Sequence, residues 1–165
     1  MYDFGGIQRL LIAGATGFIG RALVTAVTVL TRQPQHALKV LGAVKVYRSA
    51  DEIPDDAKFD AIVHLAGANV MARPWTAARK RVLMGSRIGI AEQLLAFLAR
   101  AKSPPKAWVQ ASAVGFYPTN SKHVLDETAL PGVGFAADLC QAVEAKALAG
   151  ASFGLRFVNL RLGVV

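Results

Sequence analysis

Seven residues, Gly14-Ala15-Thr16-Gly17-Phe18-Ile19-Gly20, constrain this chain more than any other segment. They follow Ile7 to Ala13 (IQRLLIA), which reads as a buried strand, and precede Arg21-Ala22-Leu23-Val24, which reads as a helix start. A strand passing through a tight glycine turn into a helix is the setting of a dinucleotide fingerprint. Its glycines let the backbone approach a pyrophosphate, and the helix N-terminus offers free N–H donors. The spacing here is Gly-x-x-Gly-x-x-Gly, unlike the Gly-x-Gly-x-x-Gly of many dehydrogenases. The competing reading is a strand-to-helix turn that holds no ligand.

The rest of the chain repeats the strand–helix theme. Val27–Leu30, Val44–Tyr47, Ala61–Leu65, Trp108–Ala111 and Phe157–Leu160 are short apolar or β-branched runs. Thr76 to Ala101 carries Val82, Ile88, Ala91, Leu94, Leu95 and Leu98 near a 3.6-residue period, and Gly134 to Gly150 does the same through Ala137, Leu139, Cys140, Val143, Ala147 and Leu148. Short strands alternating with long helices predict an α/β fold: a Rossmann-like, doubly wound parallel sheet with helices on both faces.

Composition narrows the function classes. With 53% hydrophobic residues the chain is too apolar for intrinsic disorder. One cysteine excludes a disulfide framework, and no Cys/His spacing suits a metal. No uncharged apolar run reaches the roughly 18 residues of a spanning helix, and Asp3 and Arg9 interrupt any signal-peptide core. The expectation is a cytoplasmic protein without a membrane partner. The net charge of +8 suits an anionic ligand. It is spread over Arg32, Arg48, Arg79-Lys80-Arg81, Lys102 and Lys106 without a nucleic-acid motif, so nucleic acid is not an expected partner.

The residues after the second strand refine the nucleotide. An acid there binds a ribose 2′-hydroxyl, whereas a guanidinium attracts a 2′-phosphate. This chain has Thr31-Arg32 and no acid before Asp51, which favours NADP(H).

Together with His64-Leu65-Ala66-Gly67, Arg73-Pro74-Trp75-Thr76, Ser86-Arg87, Ala111-Ser112-Ala113-Val114-Gly115-Phe116-Tyr117 and Arg161-Leu162-Gly163-Val164-Val165, these features resemble the short-chain dehydrogenase/reductase superfamily. The resemblance is strongest to an atypical extended branch, the epimerase-family proteins of unassigned substrate, and runs from about Ile7 to the C-terminus. It implies an NADP(H)-dependent oxidoreductase or nucleotide-sugar-epimerase-like protein acting on a small-molecule substrate. By position it assigns the pyrophosphate to Gly14, Ala15, Thr16, Gly17, Phe18, Ile19 and Gly20, and the 2′-phosphate to Arg32. Leu65, Ala66 and Gly67 fall along the ribose and the route to the nicotinamide, with Ser86 and Ala111 completing the cofactor set. Ser112 falls where the superfamily bonds the reacting carbonyl or hydroxyl. Extended members often dimerise through two helices, and the apolar helix from about Arg87 to Arg100 suits either such a homodimer or the core.

The chain departs from the superfamily at its catalytic pair. A Tyr-x-x-x-Lys dyad normally follows the serine, the lysine lowering a phenolic pKa that is otherwise near 10. None of Tyr2, Tyr47 and Tyr117 has a lysine four residues on, and aligning Glu144 with the family's glutamate puts Ala136 and Cys140 at the dyad positions. Either Tyr117, Asp138 or Glu144 handles the proton, or the chain is a cofactor-binding sensor or regulatory module without turnover. Cys140 reads as helix core, because no cation or histidine is placed beside it in the sequence.

Two features suggest a shortened chain. Only nine residues, Phe18 to Ala26, serve the first crossover, where a returning helix of about 11 residues and a turn are needed. This suggests a segment missing near residues 24–26 or a local deletion there. The chain also stops where the superfamily continues. Residues 1–165 therefore read as one NADP(H)-binding domain whose C-terminal substrate-binding region is absent.

Overall fold

A computed structural model describes residues 9–23 and 27–163. Six parallel strands form one sheet in the order β3-β2-β1-β4-β5-β6. They are β1 (Leu10–Ala13), β2 (Val27–Leu30), β3 (Lys45–Tyr47), β4 (Ala61–His64), β5 (Ala107–Ala113) and β6 (Arg156–Leu162). The expected doubly wound architecture is present, and strand order reverses between β1 and β4, where such sheets open a ligand crevice. The expected crossover anomaly at residues 24–26 lies outside the described residues.

Four helices accompany the sheet: α1 (Phe18–Ala22), α2 (Pro34–Leu41), α3 (Ala77–Arg100) and α4 (Phe135–Leu148). The sequence reading passed over α2. Its polar start, Pro-Gln-His, hides a helix that has Pro34 in its first turn, buries Ala37 and ends at Gly42 with φ +79°. The long helix begins where a capping residue allows, with Thr76 Oγ1 accepting the Arg79 N–H at 3.2 Å.

Alternation along the strands sorts the core into two faces. Leu11, Ile62 and Trp108 meet Ala91, Leu94, Phe97 and Leu98 of α3 and Ala147 of α4. Ile12, Val27, Val29 and Val63 pack on Ala37 of α2 and on Leu23 at the end of α1. A third cluster, Leu83, Leu139 and Val143, fixes α3 against α4. By length and composition α3 could cross a membrane; its Leu83, Ala91, Leu94, Phe97 and Leu98 are buried against the sheet and α4. Among the described residues no group of three or more His, Cys, Asp or Glu could hold a metal ion.

Candidate functional site: a glycine-lined cleft beside a buried polar cluster

The turn after β1 is shaped by what its glycines lack. Gly14 has φ +91°, and a Cβ on it would sit 2.6 Å from Ala66 N, so the turn lies directly against the chain leaving β4. A Cβ on Gly20 would lie 2.5 Å from Gly14 O, which locks the first turn of α1 under the loop. The Gly17 N–H donates to Gly14 O at 3.1 Å, and Arg21 Nε donates to Thr16 O at 2.9 Å.

A cleft of about 410 Å³ opens over this turn. Gly14, Thr16 and Gly17 form one wall, Arg32 stands at the end of β2, and Leu65, Ala66 and Gly67 line the floor where β4 ends. Ser86 of α3 closes the far side. Its Oγ accepts the Ala68 N–H at 3.0 Å and donates to Leu83 O at 3.0 Å, which pins the post-β4 loop to the helix. No carboxylate occurs among the described residues lining the cleft. Of the other sequence-derived candidates, Ala15 and Gly20 are buried supports, Phe18 is 82% exposed, and Ile19 and Ala111 lie outside the lining.

Ser112 and Tyr117 belong to a second cluster. Parallel register sets Ser112 of β5 beside Arg161 of β6, and α4 places Glu144 against both. Ser112 Oγ donates to Glu144 Oε1 at 2.5 Å, while Arg161 Nε and Nη2 donate to the two carboxylate oxygens at 3.0 Å each. Arg161 Nη1 donates to the Tyr117 hydroxyl at 3.0 Å, and the guanidinium lies 3.5 Å from the Phe116 ring centroid. Hydrogen bonding to Glu144 raises the Arg161 pKa above its ordinary value; burial opposes this, and the Tyr117 bond adds to it.

Between the two clusters lies His64, fully buried, with Nδ1 2.8 Å from Gln110 Oε1. Burial lowers its pKa from 6.5 to about 4, against the pull of the Gln110 hydrogen bond, and the Arg87 charge lowers it further. Arg87 itself lies over Gly67, where a Cβ would come within 2.6 Å of its guanidinium carbon, and Nη1 donates to Leu83 O at 3.1 Å. Burial lowers the Arg87 pKa; Cys140 acts to raise it and Arg79 to lower it. Cys140 is buried on α4, in keeping with its reading as helix core, and its Sγ lies 3.6 Å from Ala113 O. Asp138 is exposed on α4.

Sequence reasoning missed the Glu144–Arg161 pairing and the position of Arg87. Both arginines stood inside the motif segments, which was the available signal, but their partners lie 17 and 20 residues or more away across separate elements.

The family model of the NAD dependent epimerase/dehydratase family matches residues 10–165. An epimerase family protein of Mycobacterium leprae is 35% identical over 165 residues, covering 93% of this chain and 52% of that protein. The crystal structure of human epimerase family protein SDR39U1 with NADPH is similar with a TM-score of 0.74 at 30% identity, covering 93% of this chain and 52% of that one. UDP-glucuronic acid 4-epimerase from Bacillus cereus, with UDP-glucuronic acid and NAD, shares the fold with a TM-score of 0.70 at 18% identity, over 93% of this chain and 55% of that one. The chain thus spans about half the length of these relatives. Its glycine turn, its sheet order and the match over residues 10–165 lead to one conclusion: the chain belongs to the NAD dependent epimerase/dehydratase family.

Proposed function

We propose that the protein is an NADP(H)-dependent oxidoreductase or nucleotide-sugar-epimerase-like protein acting on a small-molecule substrate. The observation that carries the reading is Arg32, which lines the cleft at the end of β2 where no carboxylate competes for a 2′-phosphate. The NADPH bound to the human relative supports the same nucleotide. The cleft fits such a group: Gly14, Thr16 and Gly17 bring main chain to its wall at the start of α1, and Arg32 is present with no carboxylate in the lining.

In this reading the Gly14–Gly20 turn holds the pyrophosphate and Arg32 the 2′-phosphate. Leu65, Ala66 and Gly67 line the ribose and the route toward the nicotinamide, and Ser86 completes the cofactor set. When bound, the cofactor exchanges hydride with the substrate. Ser112 and Tyr117 orient the reacting oxygen, and the proton that the absent dyad would move falls to Tyr117, Asp138 or Glu144. A substrate-binding region beyond residue 165 and a homodimer formed through α3 belong to this proposal.

A second reading is favoured by Ala136 and Cys140 at the dyad positions: a sensor or regulatory module in which the cofactor is never turned over. It requires tight NADPH binding, negligible turnover and unchanged affinity in Tyr117→Phe.

Calorimetric titration with NADPH and NADH tests the assignment. NADPH is expected to bind more tightly, and Arg32→Ala to weaken it about 10- to 100-fold, the worth of a charge-assisted contact, with little effect on NADH. If neither nucleotide binds, the enzyme and the sensor readings both fall.

A further inference from the structure

The Ser112 cluster has hydrogen-bond directions that cannot be reversed. An ionised carboxylate only accepts and a guanidinium only donates. Ser112 Oγ, 2.5 Å from Glu144 Oε1, therefore gives its single hydrogen to Glu144. Arg161 meanwhile pairs both oxygens of that carboxylate, which is 8% exposed. Ser112 is half-buried, and no described residue donates to it. Tyr117 is set the opposite way: its hydroxyl oxygen accepts from Arg161 Nη1 at 3.0 Å, and no described residue accepts its proton.

We infer that Glu144 and Arg161 are positioning residues that fix Ser112 as a hydrogen-bond acceptor and Tyr117 as a donor toward the substrate, so that the site takes a hydroxyl group and not a carbonyl at Ser112. A carbonyl oxygen there would set lone pair against lone pair, whereas a hydroxyl donates to Ser112 Oγ and accepts from Tyr117. This rests on the oxidoreductase reading above and narrows its substrate class to hydroxyl compounds. On oxidation the hydroxyl proton passes to Ser112 Oγ as the Ser112 proton moves to Glu144 Oε1. The hydride acceptor that completes the oxidation would be oxidised NADP held by the glycine turn and Arg32, and it would leave the substrate oxygen as a carbonyl.

The test uses cyclohexanol and cyclohexanone, which share an apolar body and differ at the reacting oxygen. Saturation-transfer NMR on the NADP⁺-loaded protein is expected to favour the alcohol by about fivefold, near the worth of one hydrogen bond. In Glu144→Gln the preference should fall below twofold, with the affinity for NADP⁺ unchanged by calorimetry. Ser112→Ala carries the same arm if Glu144→Gln does not fold. Equal or stronger binding of the ketone, binding of neither probe, or an alcohol preference that survives both substitutions overturns the inference.

A second readout needs no cofactor. The proton NMR spectrum of the free protein should contain a slowly exchanging serine hydroxyl resonance, displaced downfield and lost in Ser112→Ala. Its absence overturns the inference by itself. Failure of NADP⁺ to bind while this resonance is present removes the oxidoreductase reading and leaves the fixed polarity of Ser112 standing.

Discussion

His64 shows what a single residue's surroundings decide. It sits opposite Gln110 in the β4–β5 register, and Gln110 Oε1 accepts from His64 Nδ1 at 2.8 Å and from Trp108 Nε1 at 3.3 Å. Since that oxygen only accepts, the proton of the neutral ring is on Nδ1. The folded pKa of about 4 lies below the unfolded value of 6.5, so between these pH values the unfolded state binds a proton that the folded state refuses. The contribution is present in full above about pH 6.5, is lost as pH falls toward 4 and is constant below that; its size is about 3 kcal/mol. Urea unfolding of wild type and His64→Asn across this range is expected to show a pH slope that the substitution removes. The burial of His64 was legible in the sequence, since Ala61–Leu65 reads as a sheet strand. Its partner was not, because Gln110 is 46 residues away and only register joins them.

At the scale of the element, the glycine turn and β6 make contrasting predictions. An alanine Cβ at position 20 would meet backbone, Gly14 O and Ala15 Cα, which cannot yield as a side chain can. Gly20→Ala is expected to cost about 1–3 kcal/mol and to weaken NADPH at least tenfold, measured by chemical unfolding and calorimetry. Gly89→Ala has open space and a helical position, so it should stabilise α3 by up to about 1 kcal/mol. In β6, Arg161 joins the strand to α4 through Glu144. Arg161→Ala leaves that carboxylate buried without its partner and should cost about 3–5 kcal/mol, whereas Arg9→Ala at the exposed Asp60 pair should cost less than about 1 kcal/mol. The turn could be recognised from local spacing alone. The pairing of β6 with α4 could not, because two motifs far apart in the chain meet only after the sheet forms.

For the molecule as a whole, the core and the cleft are separable. Leu94 of α3 is fully buried against the sheet, so Leu94→Ala should lower stability by about 2–5 kcal/mol while leaving NADPH affinity within twofold. Conversely, NADPH at a hundred times its dissociation constant should stabilise the protein by about 2.7 kcal/mol, reduced to about 0.4–1.4 kcal/mol in Arg32→Ala at the same concentration. Thermal unfolding with and without nucleotide measures both.

The sequence alone determined the class of fold and the location of the glycine turn. Both depend on local physics: alternating strand and helix periods, and glycines at a strand-to-helix junction. It also marked Arg32, because a residue following the second strand is placed by that fold. Tertiary structure alone decided the chemistry of the second cluster. Ser112, Tyr117, Glu144 and Arg161 come from β5, the loop after it, α4 and β6, and the direction in which each hydrogen points is set by neighbours that no local spacing specifies. Arg87 reaches over Gly67 by the same route, because α3 packs beside the chain leaving β4.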